Sequence, residues 1–125
     1  MQKQRGLPDR FGDAWDGILE AIRTQKNMRF HLVASIVVLA AAGFFRLSYL
    51  ETALLFFAIA LVLICELINT AVEALVDLVI KEYHPLARRI KHIAAGAVLL
   101  AALTAVVLGL IVFARPIREV INSFF

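Results

Sequence analysis

Apolar residues run through this chain in long stretches, separated by short clusters of charge. Three stretches contain no Asp, Glu, Lys or Arg: Phe30–Phe45, Thr52–Cys65 and Ile93–Ala114, of 16, 14 and 22 residues. A membrane-crossing helix needs about 20 residues, which the third stretch meets unaided. The first reaches that length by drawing in Met28, Leu47 and Leu50, with Arg29 and Arg46 snorkelling to the two interfaces. The second is short unless its helix continues past Glu66 into residues 67–80, apolar there except for four polar side chains. Ahead of these stretches, Leu7, Phe11, Ala14, Trp15, Ile18 and Ile22 recur at helical spacing, with Arg10, Asp13, Asp16, Glu20 and Arg23 elsewhere on the turn. That pattern predicts an amphipathic helix over about 8–26, lying in the interface plane with Trp15 at headgroup level, weakened by Gly12 and Gly17. Pro8 reads as its start, Pro85 as a loop break and Pro116 as the end of the third span. The expected fold class is an all-α membrane protein: one interfacial helix plus three transmembrane helices over about 30–48, 52–72 and 93–114. All of it forms one domain, residues 1–125.

Composition sharpens this reading. Of 125 residues, 62% are apolar and 18% charged, against roughly 45–50% and about 25% in soluble domains. A globule this small has too much surface to hide that surplus, so it belongs in lipid. The chain is too short for a separate soluble catalytic domain, and any chemistry falls to groups at or in the membrane, with help from further copies. Cys65 is the single cysteine, which excludes an intrachain disulfide and a cysteine-based metal site. Met1–Arg29 has no apolar core segment of the secretory-signal kind. The sequence pI of about 9.4 would suggest nucleic acid in a soluble protein; here the basic residues read as topology signals, and no nucleic-acid partner is expected. Six of the 13 precede the first span (Lys3, Arg5, Arg10, Arg23, Lys26, Arg29) and four occupy the second connection (Lys81, Arg88, Arg89, Lys91). The positive-inside rule places both regions in the cytoplasm.

Glu66, Asn69, Glu73 and Asp77 are spaced by three, four and four. At 100° per residue they fall at roughly 0°, 300°, 340° and 20°, a single narrow face. Span counting from Thr52 sets Glu66 and Asn69 inside the cytoplasmic edge of the hydrocarbon and Asp77 near water. A polar stripe can be interhelical glue, or mark a helix that has already left the bilayer. Three carboxylates on one face are costly in lipid and repel one another, which points to an ion path, a proton step or a metal. Hard oxygen donors suit Mg²⁺, and His84, Arg88, Arg89 and Lys91 in the second connection suit phosphate oxygens. A magnesium–phosphate site therefore fits better than an ion or proton carrier, which would need oligomerisation to line a path.

The run Glu66-Leu-Ile-Asn-Thr-Ala-Val-Glu73-Ala-Leu-Val-Asp77 resembles the signature of the small prokaryotic membrane lipid kinases, the diacylglycerol kinase and undecaprenol kinase family. Further matches are Asn27-Met-Arg-Phe-His31, Glu82-Tyr83-His84-Pro85-Leu86-Ala87 and Ile93-Ala-Ala-Gly-Ala-Val-Leu99; the last two are more similar to the undecaprenol branch. The resemblance implies phosphoryl transfer from MgATP to a lipid hydroxyl in the bacterial inner membrane, by a homotrimer with sites between protomers. It implies Glu66 as the general base, and Glu73 as a metal ligand that also touches nucleotide. Asn69, Asp77, Glu82, Tyr83, His84, Lys91 and His92 would line the ATP site. Trp15 and Ala95 would join Glu66 in contacting lipid.

Two positions depart from the family pattern. Gln25 stands where a second metal-binding Glu is usual, and His92 where an Asp is usual. The amide oxygen of Gln25 can still face Mg²⁺ but brings no charge, and His92 is a poor ligand for so hard an ion. The alternative reading is a non-catalytic or weakly active lipid-binding scaffold that has kept the fold.

Overall fold

The computed structural model describes residues 6–125, four helices joined by short connections. Lys3 and Arg5, counted above with the N-terminal charges, lie outside the described residues. Helix α1 spans Leu7–Thr24, α2 Lys26–Phe44, α3 Tyr49–Val79 and α4 Pro85–Phe124. Of these, α2, α3 and α4 are long and apolar enough to cross a membrane.

Local chemistry explains the boundaries. The backbone N–H of Gly6 donates to Asp9 Oδ2 at 3.0 Å, and Pro8 occupies the first turn of α1, where its missing N–H costs nothing. Gln25, extended at φ −101°, alone separates α1 from α2. Arg29 closes the joint: its Nη1 donates to the carbonyls of Ile22 (3.2 Å) and Arg23 (2.8 Å), acceptors the end of α1 leaves open. At the other end of α3, Ser48 and Glu51 form a capping box, with Ser48 N–H to Glu51 Oε2 at 2.8 Å and Glu51 N–H to Ser48 Oγ at 3.3 Å. His84 starts α4 by accepting the Leu86 N–H on Nδ1 at 3.2 Å.

The α2–α3 turn departs from expectation. Leu47 and Leu50 do not extend the first helix, which ends at Phe44. Leu47 N–H bonds back to Ala42 O (3.1 Å) and Arg46 N–H to Gly43 O (3.2 Å), a Schellman closure. It places Arg46 at φ 50°, a left-handed conformation that glycine adopts without strain. Replacing Arg46 by Gly is expected to stabilise the fold by about 1 kcal/mol, read as a higher unfolding midpoint in detergent micelles.

Helix α3 runs without interruption past Glu66, Asn69 and Glu73 to Val79. One further expectation is corrected. Pro116 does not end the last helix, which continues through it to Phe124. A proline deletes one backbone donor, but the helix continues beyond it, and on its exposed face Arg115 Nε donates to Glu119 Oε1 at 2.9 Å.

α3 packs most extensively on α4 and next on α2, while α1 meets α2 and α3 less extensively. Ala42, Leu55 and Val112 form a buried cluster near the α2–α3 turn, with Val38, Leu47, Leu108 and Phe113 against it. Along α4 the inner line is small: Ala87 and Ala101 are buried and Ala94 half-buried, at seven-residue spacing. Small side chains at that period let two helix backbones approach closely. The outward faces carry Phe30, Ile36, Phe57, Leu99 and Leu110, each more than 60% exposed.

Candidate functional site

The face of α3 that carries Glu66, Asn69, Glu73 and Asp77 grades from the interior to the surface. Glu66 is 2% exposed and Asn69 7%, Glu73 is half-buried and Asp77 exposed. Helix periodicity alone aligns them, and Thr70 tightens the turn by donating Oγ1 to Glu66 O at 2.9 Å. Asn69 Nδ2 donates to Glu73 Oε1 at 3.2 Å, which leaves the Asn69 amide oxygen pointing elsewhere. Asn69 Oδ1 and Glu66 Oε2 are buried without a hydrogen-bond partner among the described residues. Leaving such atoms unpaired costs about 1–3 kcal/mol each, more for a charged group. Two acceptors kept at that cost on one face, beside a second acid, Glu73, make a site that calls for a donor or a cation.

The end of this face opens on a cleft of about 280 Å³ between the last turns of α3, the connecting segment and the first turns of α4. Asp77, Glu82, Tyr83, His84, Arg88, Lys91 and His92 line it. Lys91 crosses from α4 to form a direct ion pair with Asp77, and Lys81 Nζ donates to the Asp77 carbonyl at 3.0 Å, where a cation favours the C-terminal end of α3. The wall thus carries fixed cations for phosphate oxygens and an exposed Tyr83 ring, a flat apolar surface with a polar tip. A second cleft, of about 250 Å³, lies beside it and is apolar: Leu75, Val79, Leu86 and Ile90 line it, and His84 borders both.

The residues singled out from the sequence therefore fall into separate groups. Glu82, Tyr83, His84, Lys91 and His92 share the polar cleft with Asp77; Asn69 and Glu73 are bonded to each other; Glu66 is buried three turns before Asp77 on α3. Gln25 sits in the α1–α2 joint, half-buried, with Nε2 on Thr24 Oγ1 at 3.4 Å. Trp15 on α1 and Ala95 on α4 are exposed and line neither cleft. Arg88, a cation noted in the sequence but not assigned to nucleotide, does line the polar cleft, whereas Arg89 does not. The Asp77–Lys91 pair spans fourteen residues and the α3–α4 connection, so no local period announces it.

The donor set suits magnesium in part. Among the described residues no three His, Cys, Asp or Glu side chains converge on one point within the chain. Mg²⁺ is commonly held by one or two carboxylates, with water and substrate phosphates completing its shell. Glu73 and the unpartnered Asn69 Oδ1, two hard oxygens on one helical face next to a cationic cleft, fit that partial role.

Comparison with known proteins adds a lineage to this geometry. The family described as prokaryotic diacylglycerol kinase matches residues 12–113. A diacylglycerol kinase of Synechocystis is 45% identical over 79% of this chain, though the match spans only 57% of that protein. An undecaprenol kinase of Bacillus subtilis is 40% identical over 82% of this chain and 84% of its own length. A diacylglycerol kinase of Escherichia coli K12 is 33% identical over 77% of this chain and 79% of its own.

Proposed function

Because the chain belongs to the prokaryotic diacylglycerol kinase family, we propose that it transfers the γ-phosphoryl group of ATP to the hydroxyl of a membrane lipid alcohol, with a polyprenol ahead of diacylglycerol. The observation that carries the reading is the buried Glu66 with its unpartnered Oε2, on the same helical face as Glu73 and leading to a cation-lined cleft. Helices α2, α3 and α4 cross the bacterial inner membrane, α1 lies in the interface, and the α3–α4 cleft opens to the cytoplasm, where the basic residues concentrate. Three copies complete the sites, and each copy leaves acceptors that a neighbour or substrate must meet.

In this reading Glu66 Oε2 takes the proton from the lipid hydroxyl as that oxygen bonds to the γ-phosphorus and the bond to the ADP oxygen breaks. Arg88 and Lys91 hold phosphate oxygens, and Tyr83 and His84 bound the nucleotide. Glu73 and Asn69 are the residues whose oxygens would hold Mg²⁺, which when bound with ATP would neutralise phosphate charge. Phosphoryl transfer needs little from the protein beyond positioning and electrostatics; a buried base and a fixed cation wall are such devices. The polyprenol preference rests on Glu82-Tyr83-His84-Pro85-Leu86-Ala87 and on the undecaprenol kinase relative, matched along most of both chains.

A second reading, a lipid-binding scaffold without turnover, is favoured by Gln25 and His92, which remove two negative charges from the expected metal surroundings. Purified protein in mixed micelles with labelled ATP separates the two. Labelled undecaprenyl phosphate is the expected product; label in phosphatidic acid instead would move the substrate to diacylglycerol. Label in neither lipid, across Mg²⁺ and Mn²⁺, would favour the scaffold.

A further inference from the structure

Glu66 must be held so that one particular oxygen meets the lipid hydroxyl, and nothing on α3 holds Oε2. The opposite helix offers a candidate. On α2, Met28, His31, Ser35, Val38 and Ala42 are buried or half-buried at spacings of three, four, three and four. On α3, Leu55, Ala58, Val62, Glu66 and Asn69 form the buried line, at spacings of three, four, four and three. The two helices are antiparallel neighbours joined by the tight Arg46 turn, and Ala42 and Leu55 touch in the same cluster. Eleven residues back along α2 from Ala42 is His31, and eleven forward along α3 from Leu55 is Glu66. Both steps climb about 16 Å at 1.5 Å per residue, so imidazole and carboxylate stand level.

We propose that His31 is the positioning residue of Glu66: its ring N–H donates a hydrogen bond to the carboxylate in the loaded site and thereby selects the oxygen that faces the lipid hydroxyl. The inference rests on the reading of Glu66 as base. His31 interacts electrostatically with Glu66, ahead of Glu73, which lies two turns along the same helix. The ring of His31 is itself steadied, edge-on to Phe30 at a centroid distance of 5.6 Å, and Ser35 Oγ donates to the His31 carbonyl at 2.6 Å, fixing that turn of α2. Hydrogen bonds of this kind are commonly open in a resting site and close when substrate arrives.

The test compares His31→Leu with His31→Gln, whose amide keeps a donor. His31→Leu should lower kcat by about 10–100-fold, the scale of an ångström-sized misplacement of a reacting group, with KM for MgATP unchanged. His31→Gln should recover most of that loss. In a Glu66→Gln background His31→Leu should cost nothing further, since a residue acting through another loses its effect with it. Near wild-type turnover in His31→Leu, equal losses in the two variants, or losses that multiply in the double variant would overturn the proposal. A second measurement needs no turnover: the ring-nitrogen NMR signals of labelled His31 in mixed micelles loaded with the lipid alcohol, Mg²⁺ and a non-hydrolysable ATP analogue, with and without Glu66→Gln. A shift of those signals supports the contact even where neither lipid is phosphorylated, and unchanged signals overturn it.

Discussion

Glu66→Gln should abolish most turnover while leaving the protein at least as stable as before. The substitution keeps the shape and hydrogen-bonding reach of the side chain and removes only its ability to take a proton, which is worth about 10²–10⁴ in rate for a general base. MgATP binding should persist, because the cation wall at Arg88 and Lys91 lies with Asp77, eleven residues or three turns farther along α3. Stability should hold or rise, because a carboxylate 2% exposed with an unpartnered oxygen becomes a neutral amide. Steady-state kinetics in micelles and a thermal melt of the same preparation give both readings. A variant that turns over at near wild-type rate would take the role of base away from Glu66. A variant that loses activity together with its fold would leave the loss a structural effect.

Glu73→Gln should have the next largest effect, and its mark should be magnesium dependence. The substituted amide can still accept from Asn69 Nδ2, so the local hydrogen bond survives. What leaves is a negative charge and a hard oxygen from the face that opens toward the phosphate cations. Losing one group that stabilises transferring charge costs about 10²–10³ in kcat, and the Mg²⁺ needed for half-maximal rate should rise with it. The reverse changes, Gln25→Glu and His92→Asp, should lower that requirement, and less than additively if both side chains reach one ion. Too many acids near Glu66, Glu73 and Asp77 would instead depress the rate at neutral pH and let it recover as pH rises. A magnesium titration of all the variants distinguishes these outcomes. Identical curves would mean that none of the substituted positions reaches the metal.

The helices were legible because apolar runs of that length have few places to go, and the stripe because a period of three and four on α3 needs no tertiary knowledge. The ends were less so. Leu47 looked like span, but the helix ends three residues earlier, closed by an Arg in a left-handed conformation, and propensity would have assigned that place to glycine. Pro116 looked like a stop, but an internal proline costs only one backbone hydrogen bond and a local clash, and the helix continues two further turns to Phe124. Within the site, the cationic connection was visible as charge, but which cations line the cleft depends on how the segment between α3 and α4 folds back. That geometry separates Arg88 from Arg89 and brings Lys91 to Asp77. His31 is a residue of the same kind: its spacing on α2 was in plain view, and its relation to Glu66 required the register of the hairpin.

The shortness of α2 ties the molecule to bilayer thickness. At 1.5 Å per residue its 19 residues span about 28 Å, close to a hydrocarbon core of about 30 Å. The 31 residues of α3 and 40 of α4 overhang that core and can slide or tilt without exposing backbone to the wrong phase. Helix α2 has no such reserve: Lys26 and Arg29 flank one end and Arg46 the other, and each resists being drawn into lipid. A membrane with longer acyl chains would therefore strain the α2–α3 hairpin before anything else. Shifting one helix of the hairpin by a single turn would carry His31 about 5 Å out of level with Glu66. The lipid in which the protein is embedded thereby acts on the alignment of the proposed base, through the length of one helix.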